Sequence, residues 1–341
     1  MLMNKILASL AAVSLLLGLS ATVSYAQMGV YEFDGGGDGT SWDEAANWDV
    51  ALNPDGTPAA GGDPAAPPDP LTAARIPVLG VVIDGTMPGQ TALDVNVGTA
   101  NGPGSLIVSG GDLTSGDDVE LGQAGGGNAG TMMMSDGTVT TDDDLTINTN
   151  SSFHMTGGTF NVGDRLNMFD NATLTLDGGE IIADDDFFFF GSSQVTVNGG
   201  LMEVADKLRF DDTLTTGKVT INSGIVRTQE YGFVTDLGEY VMNGNTEING
   251  DGVLQVEIGG GGAPESQLTI ASALALIAEG VHLTTAESAP LHLGASLVVV
   301  PDFFGRTDVT FVQIAVVPEP GCLMLLGFAG LGFLSWRKRV R

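Results

Sequence analysis

Between Gly104 and Gly252 apolar residues recur as short pairs spaced by two, each pair followed by a small-residue turn. Gly110-Gly111, Asp136-Gly137, Gly157-Gly158, Gly178-Gly179, Gly199-Gly200, Ser223-Gly224 and Asn243-Gly244 mark one turn per repeat. Their second members lie 26, 21, 21, 21, 24 and 20 residues apart, and a glycine-rich insertion around 123–130 lengthens the first interval. Just before each turn stand Leu106/Val108, Met132/Met134, Phe153/Met155, Leu174/Leu176, Val195/Val197 and Val219/Ile221. Two residues after the second member come Leu113, Val139, Phe160, Ile181, Met202 and Val226. Eight and ten after it come Val119/Leu121, Leu145/Ile147, Leu166/Met168, Phe187/Phe189 and Leu208/Phe210, with Val234 at the end of the last set. A spacing of two puts both side chains on one face of a strand. Repeated at a period near 21 residues, this pattern marks a solenoid with one coil per repeat.

The pattern predicts an all-β chain whose centre, residues 104–252, is a parallel β-helix of about seven coils with three short strands each. At about 4.8 Å per coil the stack is a rod roughly 34 Å long. An antiparallel meander or sandwich made of the same strands is the competing arrangement, and the equal steps favour the solenoid. Residues 27–103 read as an N-terminal β cap. Tyr31, Phe33, Trp42 and Trp48 gather around the Gly35-Gly36-Gly37 turn, and six prolines in 54–70 mark an exposed loop. Residues 74–84 then resume as strand. The two tryptophans are expected to plug the open end of the stack, the alternative being a sugar-stacking face. Residues 253–316 leave the repeat but stay β-like. Strand candidates are 253–258, 267–270, 280–283, 296–300 and 309–314, with 272–278 a helical turn or another strand. They are expected to close the rod and to end in a tether leading to Pro318.

Charge narrows the partners. The chain has 42 acidic residues against 12 Lys and Arg, a formal net charge of −30. Such a surface repels nucleic acid and favours cations, cationic partners and solubility. Fifty glycines with few aromatics argue for many tight turns and against a helical enzyme. The single cysteine, Cys322, lies in an apolar segment, so no disulfide is available and stability must come from burial and backbone pairing.

Both ends read as addresses. Lys5, the apolar run 6–19 and Ser24-Tyr25-Ala26 make residues 1–26 a secretory signal peptide, a retained N-terminal anchor being the alternative. Residues 317–341 hold Pro318-Glu319-Pro320, the uncharged apolar stretch 321–336, and the basic stop Arg337, Lys338, Arg339 and Arg341. As a helix the stretch spans roughly 24 Å at about 1.5 Å per residue, short of the roughly 30 Å hydrocarbon layer. Trp336 at the interface and the snorkelling basic residues cover the deficit, so a single C-terminal transmembrane helix with a cytoplasmic tip is expected. This order resembles the PEP-CTERM sorting signal of exported envelope proteins over about 25 residues of the chain. The resemblance implies delivery through the secretion machinery and transient anchoring in the inner membrane. It also implies processing near Pro318-Glu319-Pro320 by an exosortase, then transfer to the cell surface or extracellular matrix, where exopolysaccharide is the expected neighbour.

Candidate chemistry is sparse. Six residues after each second turn member stand Asp117, Asp143, Asp164, Asp185, Asp206 and Glu230. Stacked in register, such carboxylates lie about 5 Å apart and repel by about 3 kcal/mol per pair at an effective dielectric of 20. Two remedies are open: the neighbouring Arg165 and Lys207, or a bridging Ca²⁺. The structural alternative is an Asp that opens a turn through its own hydrogen bond. No other cofactor is implied. A second row, Ser109, Ser135, Thr156, Asp177, Asn198 and Asn222, reads as a polar ladder at a coil corner. The outward members of Phe187–Phe190 are a contact patch or lateral packing. His154, His282 and His292 share no metal-ligand spacing. Asp164/Arg165 and Asp206/Lys207 are the nearest approach to the chemistry of β-helical polysaccharide lyases and hydrolases. Repetition argues against catalysis, because an active site is normally a departure from its surroundings. The expectation is a non-enzymatic structural or adhesive surface protein, with a polysaccharide-binding or polysaccharide-degrading protein as the alternative.

Overall fold

A computed structural model describes residues 29–53, 59–125, 127–211, 216–234, 245–258, 269–271, 273–274, 283–285 and 291–318. All described strands belong to one continuous sheet that winds into a parallel β-solenoid of about seven coils. One coil shows the plan. Ser152–Met155, Thr159–Val162 and Leu166–Met168 lie on three faces, and each pairs in parallel with the strand one period later: Thr173–Leu176, Glu180–Ala183 and Phe187–Phe189. The two strands Gly104–Ser115 and Gly130–Thr141 bend across the first corner and serve two faces each. The antiparallel meander is excluded, since among the described strands antiparallel ladders occur only at the two ends.

The interior is the apolar pattern made solid. Every inward-type position named above from Leu106 to Val226, on all three faces, is at most 1 % exposed. Stacked side chains of like shape fill the tube, as in the rings of Phe187, Phe189 and Phe210, with centroids 4.3 and 4.8 Å apart. The coils begin before Gly104: Val81–Asp84, Gln90–Ala92 and Val95–Val97 already form a complete coil in register with the next. Their inward residues Val81, Ile83, Ala92, Val95 and Val97 are buried; their turn is Asp84-Gly85, but the inward pair stands four and two residues before Gly85 instead of five and three, which hides the repeat.

The last coil departs from the expected register. Leu208 pairs with Tyr231 and Phe210 with Phe233, while Val234 pairs with Asp211. Only Gln229 separates Thr228 from Glu230, where Ala205 and Asp206 separate Val204 from Lys207, so the final coil is one residue shorter at that corner. Tyr231 therefore takes the inward place, and its hydroxyl bonds Thr246 at 2.7 Å.

Hairpins close both ends. Gly29–Phe33 and Trp48–Leu52 pair antiparallel, and the first of them stacks in parallel on Thr72–Ile76. Trp42 and Trp48 are fully buried and edge-on at 4.9 Å, with Phe33 5.0 Å from Trp48, so the indoles cap the apolar tube and present no face to a sugar. At the other end Leu291–Phe303 and Arg306–Pro318 form one long hairpin whose second strand pairs with Val253–Glu257. The expected tether is thus absent: the strand runs through to Pro318, opposite Leu291. Of the irregular candidates, Ile270, Ala271, Ala273 and Leu274 are helical and Leu283–Thr284 is a short strand. Among the described residues no helix is long and apolar enough to cross a membrane. The leader 1–26 and the span expected at 321–336, with Arg337, Lys338, Arg339 and Arg341, lie outside the described residues.

Candidate functional site

Each of the three corners of the coil has its own chemistry. At the corner between the second and third faces the expected acidic row is present in the backbone. Asp143, Asp164, Asp185 and Asp206 each donate an N–H to the carbonyl of the acid one coil earlier, beginning at Asp117, over 3.0–3.3 Å. Glu230 is not its sixth member: it pairs with Lys207, one column over, because the final coil is a residue short, and its side chain is buried.

The neighbouring column carries the structural work. Asp118 accepts from the N–H of Asp144, Asp144 from Arg165, and Asp186 from Lys207, at 2.9–3.0 Å. Each carboxylate thus satisfies a turn donor of the next coil, which is the Asp-turn chemistry extended between coils. Burial raises the pKa of these acids. Asp118 is pushed up to about 6, with Asp117, Asp144 and Asp143 adding repulsion, while Asp94, Asp144 and Asp186 shift the same way, chiefly through desolvation. Cations enter where the corner is most crowded: Arg165 with Asp185 at 3.4 Å, Lys207 with Asp206 at 2.7 Å, and Arg209 with Asp186 at 3.2 Å. Three groups of carboxylate oxygens lie within 4.8 Å of one another: Asp117/Asp118/Asp143, Asp143/Asp144/Asp164 and Asp185/Asp186/Asp206. Such oxygens suit a hard cation like Ca²⁺. In each group one acid, Asp118, Asp144 or Asp186, also serves as a backbone cap through one of its oxygens.

The first corner holds the amide ladder. Asn198 donates to Asp177, Asn222 to Asn198 and Asn249 to Asn222, over 2.7–3.0 Å. The row therefore extends one coil beyond Asn222, and Asp177 also receives His154 Nε2 at 2.7 Å. His154 is an exposed ladder partner; His282 and the side chain of His292 lie outside the described residues. On the third face the outward ring of Phe188 lies between two guanidiniums, Arg209 at 4.8 Å and Arg165 at 6.0 Å, and Phe169 stacks on Phe190 at 4.7 Å. These rings pack laterally on the rod. Neither acid–base pair considered for lyase chemistry is solitary: Asp164/Arg165 and Asp206/Lys207 are members of the ladder.

The third corner is where the period breaks. Residues 98–103, 122–125 and 127–129 bulge from it in successive coils. The signal was present in the lengthened intervals, but the residues these loops enclose are far apart in sequence.

Residues 316–339 match the PEP-CTERM protein-sorting motif. The match begins on the last three residues of the closing hairpin, where Val316, Val317 and Pro318 still pair with Leu293, His292 and Leu291. Glu319, Pro320 and the rest of the motif lie outside the described residues. The motif marks an exported, membrane-transiting protein that is processed by an exosortase. No curated protein and no solved structure matches the chain.

Proposed function

We propose that the chain is a non-enzymatic surface protein: an acidic β-solenoid carried out of the cell, held briefly in the inner membrane by residues 321–336, cut near Pro318-Glu319-Pro320, and left as a structural or adhesive element of the extracellular matrix. The observation that carries this reading is the sorting motif fused without a spacer to a closed, repetitive rod. Uniform coils support a structural body, since the side chains considered for catalysis are repeated ladder members with partners inside the rod. A net charge of −30 supports a hydrated, soluble surface in the matrix.

The test is mass spectrometry of the C-terminus in the surface fraction. The expected product ends near Pro320 and lacks Arg337–Arg341. The variant Pro318→Ala/Glu319→Gln/Pro320→Ala should stay in the inner membrane with its tail intact. Wild-type protein recovered from the surface with its basic end still attached would refute the reading. Incubation with neutral and acidic glycans should release no new chain ends; release would favour a degrading enzyme instead.

A further inference from the structure

The third corner encloses a cavity of about 230 Å³ between the two loops that interrupt the period. Its floor is the outward row of the third face, where Arg75, Asn96 and Glu120 stand in register on successive coils. Its walls are Thr99 and Asn101 from one loop and Gln123 from the other.

The cavity is built. Asn128 donates to the carbonyl of Thr99 at 2.7 Å, which locks the second loop onto the first. Asn101 reaches across to both carboxylate oxygens of Glu32 at 3.0 and 2.7 Å, which pins the first loop to the N-terminal hairpin. Glu120 is aimed by Asn148, which bonds its carboxylate at 2.7 Å and the carbonyl of Gly122 at 2.9 Å. Gly98 and Gly122 lie at φ 80° and 77°. A Cβ on Gly98 would sit 2.4 Å from the Ala129 carbonyl, and one on Gly122 would sit 2.1 Å from Ser151 Oγ. The narrow turn into each loop therefore requires glycine.

Arg75 stands apart from the other cations. Among the described residues Arg165, Lys207, Arg209, Lys218, Arg227 and Arg306 each lie within ion-pair distance of a carboxylate, and Arg75 does not. A half-buried guanidinium, primary amides, a hydroxyl and an oriented carboxylate converge on one small space. Planar groups that donate and accept in pairs match vicinal hydroxyls, which do both. The volume is below the roughly 300–1,000 Å³ of sites for drug-sized ligands, so the occupant is about the size of a single ring. Its charge follows from the surroundings. Glu120 shares the cavity with Arg75, Glu32 adjoins it, and the protein carries −30 overall, so a polyanion is repelled.

We propose that this cavity binds one residue of a neutral glycan, with Arg75, Asn96 and Gln123 donating to ring hydroxyls and Glu120 accepting from them. The proposal deepens the matrix reading, giving the rod a point of attachment to polysaccharide. It depends on that reading only for where the ligand is met.

The full chain, held in a sugar-free zwitterionic detergent, is titrated calorimetrically with neutral glucan, mannan and galactan hexasaccharides and with a polygalacturonate oligomer of equal length. Saturable binding to at least one neutral probe is expected, little changed by salt, and absent for the acidic one. Arg75→Gln and Asn96→Ala should each weaken it tenfold or more with unchanged thermal melts, and His154→Ala, on a different face, should not. Gln123→Ala, in an exposed loop, keeps the test valid if either strand variant fails to fold. The proposal falls if no neutral probe binds, if the acidic oligomer binds more tightly, or if the folded cavity variants bind like the parent. Correct processing without glycan binding would overturn the cavity and spare the sorting reading; binding without processing would do the reverse.

Discussion

Gly179 shows how a single residue type sets the pitch of the stack. It lies at φ 86°, and Gly137, Gly158, Gly200 and Gly224 hold the same conformation at φ 77–88° on their own coils. A Cβ on Gly179 would meet the Gly158 carbonyl at 2.6 Å, and the same collision recurs at Gly200 with Gly179 at 2.3 Å. That carbonyl cannot retreat, because it accepts the N–H of Glu180 in the next coil. Gly179→Ala is therefore expected to lose about 1–3 kcal/mol from backbone strain alone, with the clash adding to it. Urea denaturation measures this, and a loss under about 0.5 kcal/mol would contradict the account. Much of this was readable beforehand: the glycine period located the turns from Gly110-Gly111 to Ser223-Gly224, and the inward positions from Leu106 to Phe210 are buried as the spacing implied. The next turn falls at 249–252, between Ile248 and Val253, while Asn243-Gly244 lies outside the described residues. Glu230 and Val234 were not readable, because a one-residue shortening at a corner leaves no trace in the apolar pattern until the register is seen.

Among the elements, the acidic corner is the one held against desolvation and, secondarily, its own repulsion. Asp118 is raised to about 6, and Asp94, Asp144 and Asp186 also lie above the ordinary carboxylate range. An acid with a raised folded pKa binds more protons in the native state than in the unfolded one between the two values. Its contribution is complete below the unfolded pKa and is lost as pH rises through the folded one. Between about pH 4 and about pH 6 this corner should therefore lose stability on the way up. Exposed acids of the opposite kind, Asp84 and Asp177 held low by hydrogen bonds, act only at lower pH, as they protonate. Thermal melting should thus give a higher Tm at about pH 5.5 than at about pH 8, with each kcal/mol read as roughly 2–4 °C, and Asp118→Asn should flatten the difference. An equal or lower Tm at the acid end would show that the corner is not strained.

For the whole molecule, stability is a sum over coils and their interfaces, as in other one-dimensional stacks. Residues 159–179 make up one full period, bounded at each end by the same turn and inward pattern. Their deletion should leave a folded, cooperatively melting protein with one coil fewer, because every ladder on each side closes on an equivalent neighbour. Loss of cooperative melting or of β circular dichroism in that variant would mean the coils are not interchangeable. Both ends of the stack would remain covered, one by Trp42 and Trp48 and the other by the hairpin that leads into the sorting motif.

The repeat and the address at residues 316–339 were determined by local order along the chain. A two-residue alternation and a fixed period constrain each coil without reference to distant residues, and a sorting motif is read as a linear string. What only the folded chain decided are the things that depend on stacking: the parallel sense of the strands, the column to which Glu230 belongs, the early start of the coils at Val81, the strand that continues to Pro318, and the row of Arg75, Asn96 and Glu120 along one cavity. Coiling brings residues a period or more apart to within a strand spacing, so a small change in loop length selects which side chains become neighbours.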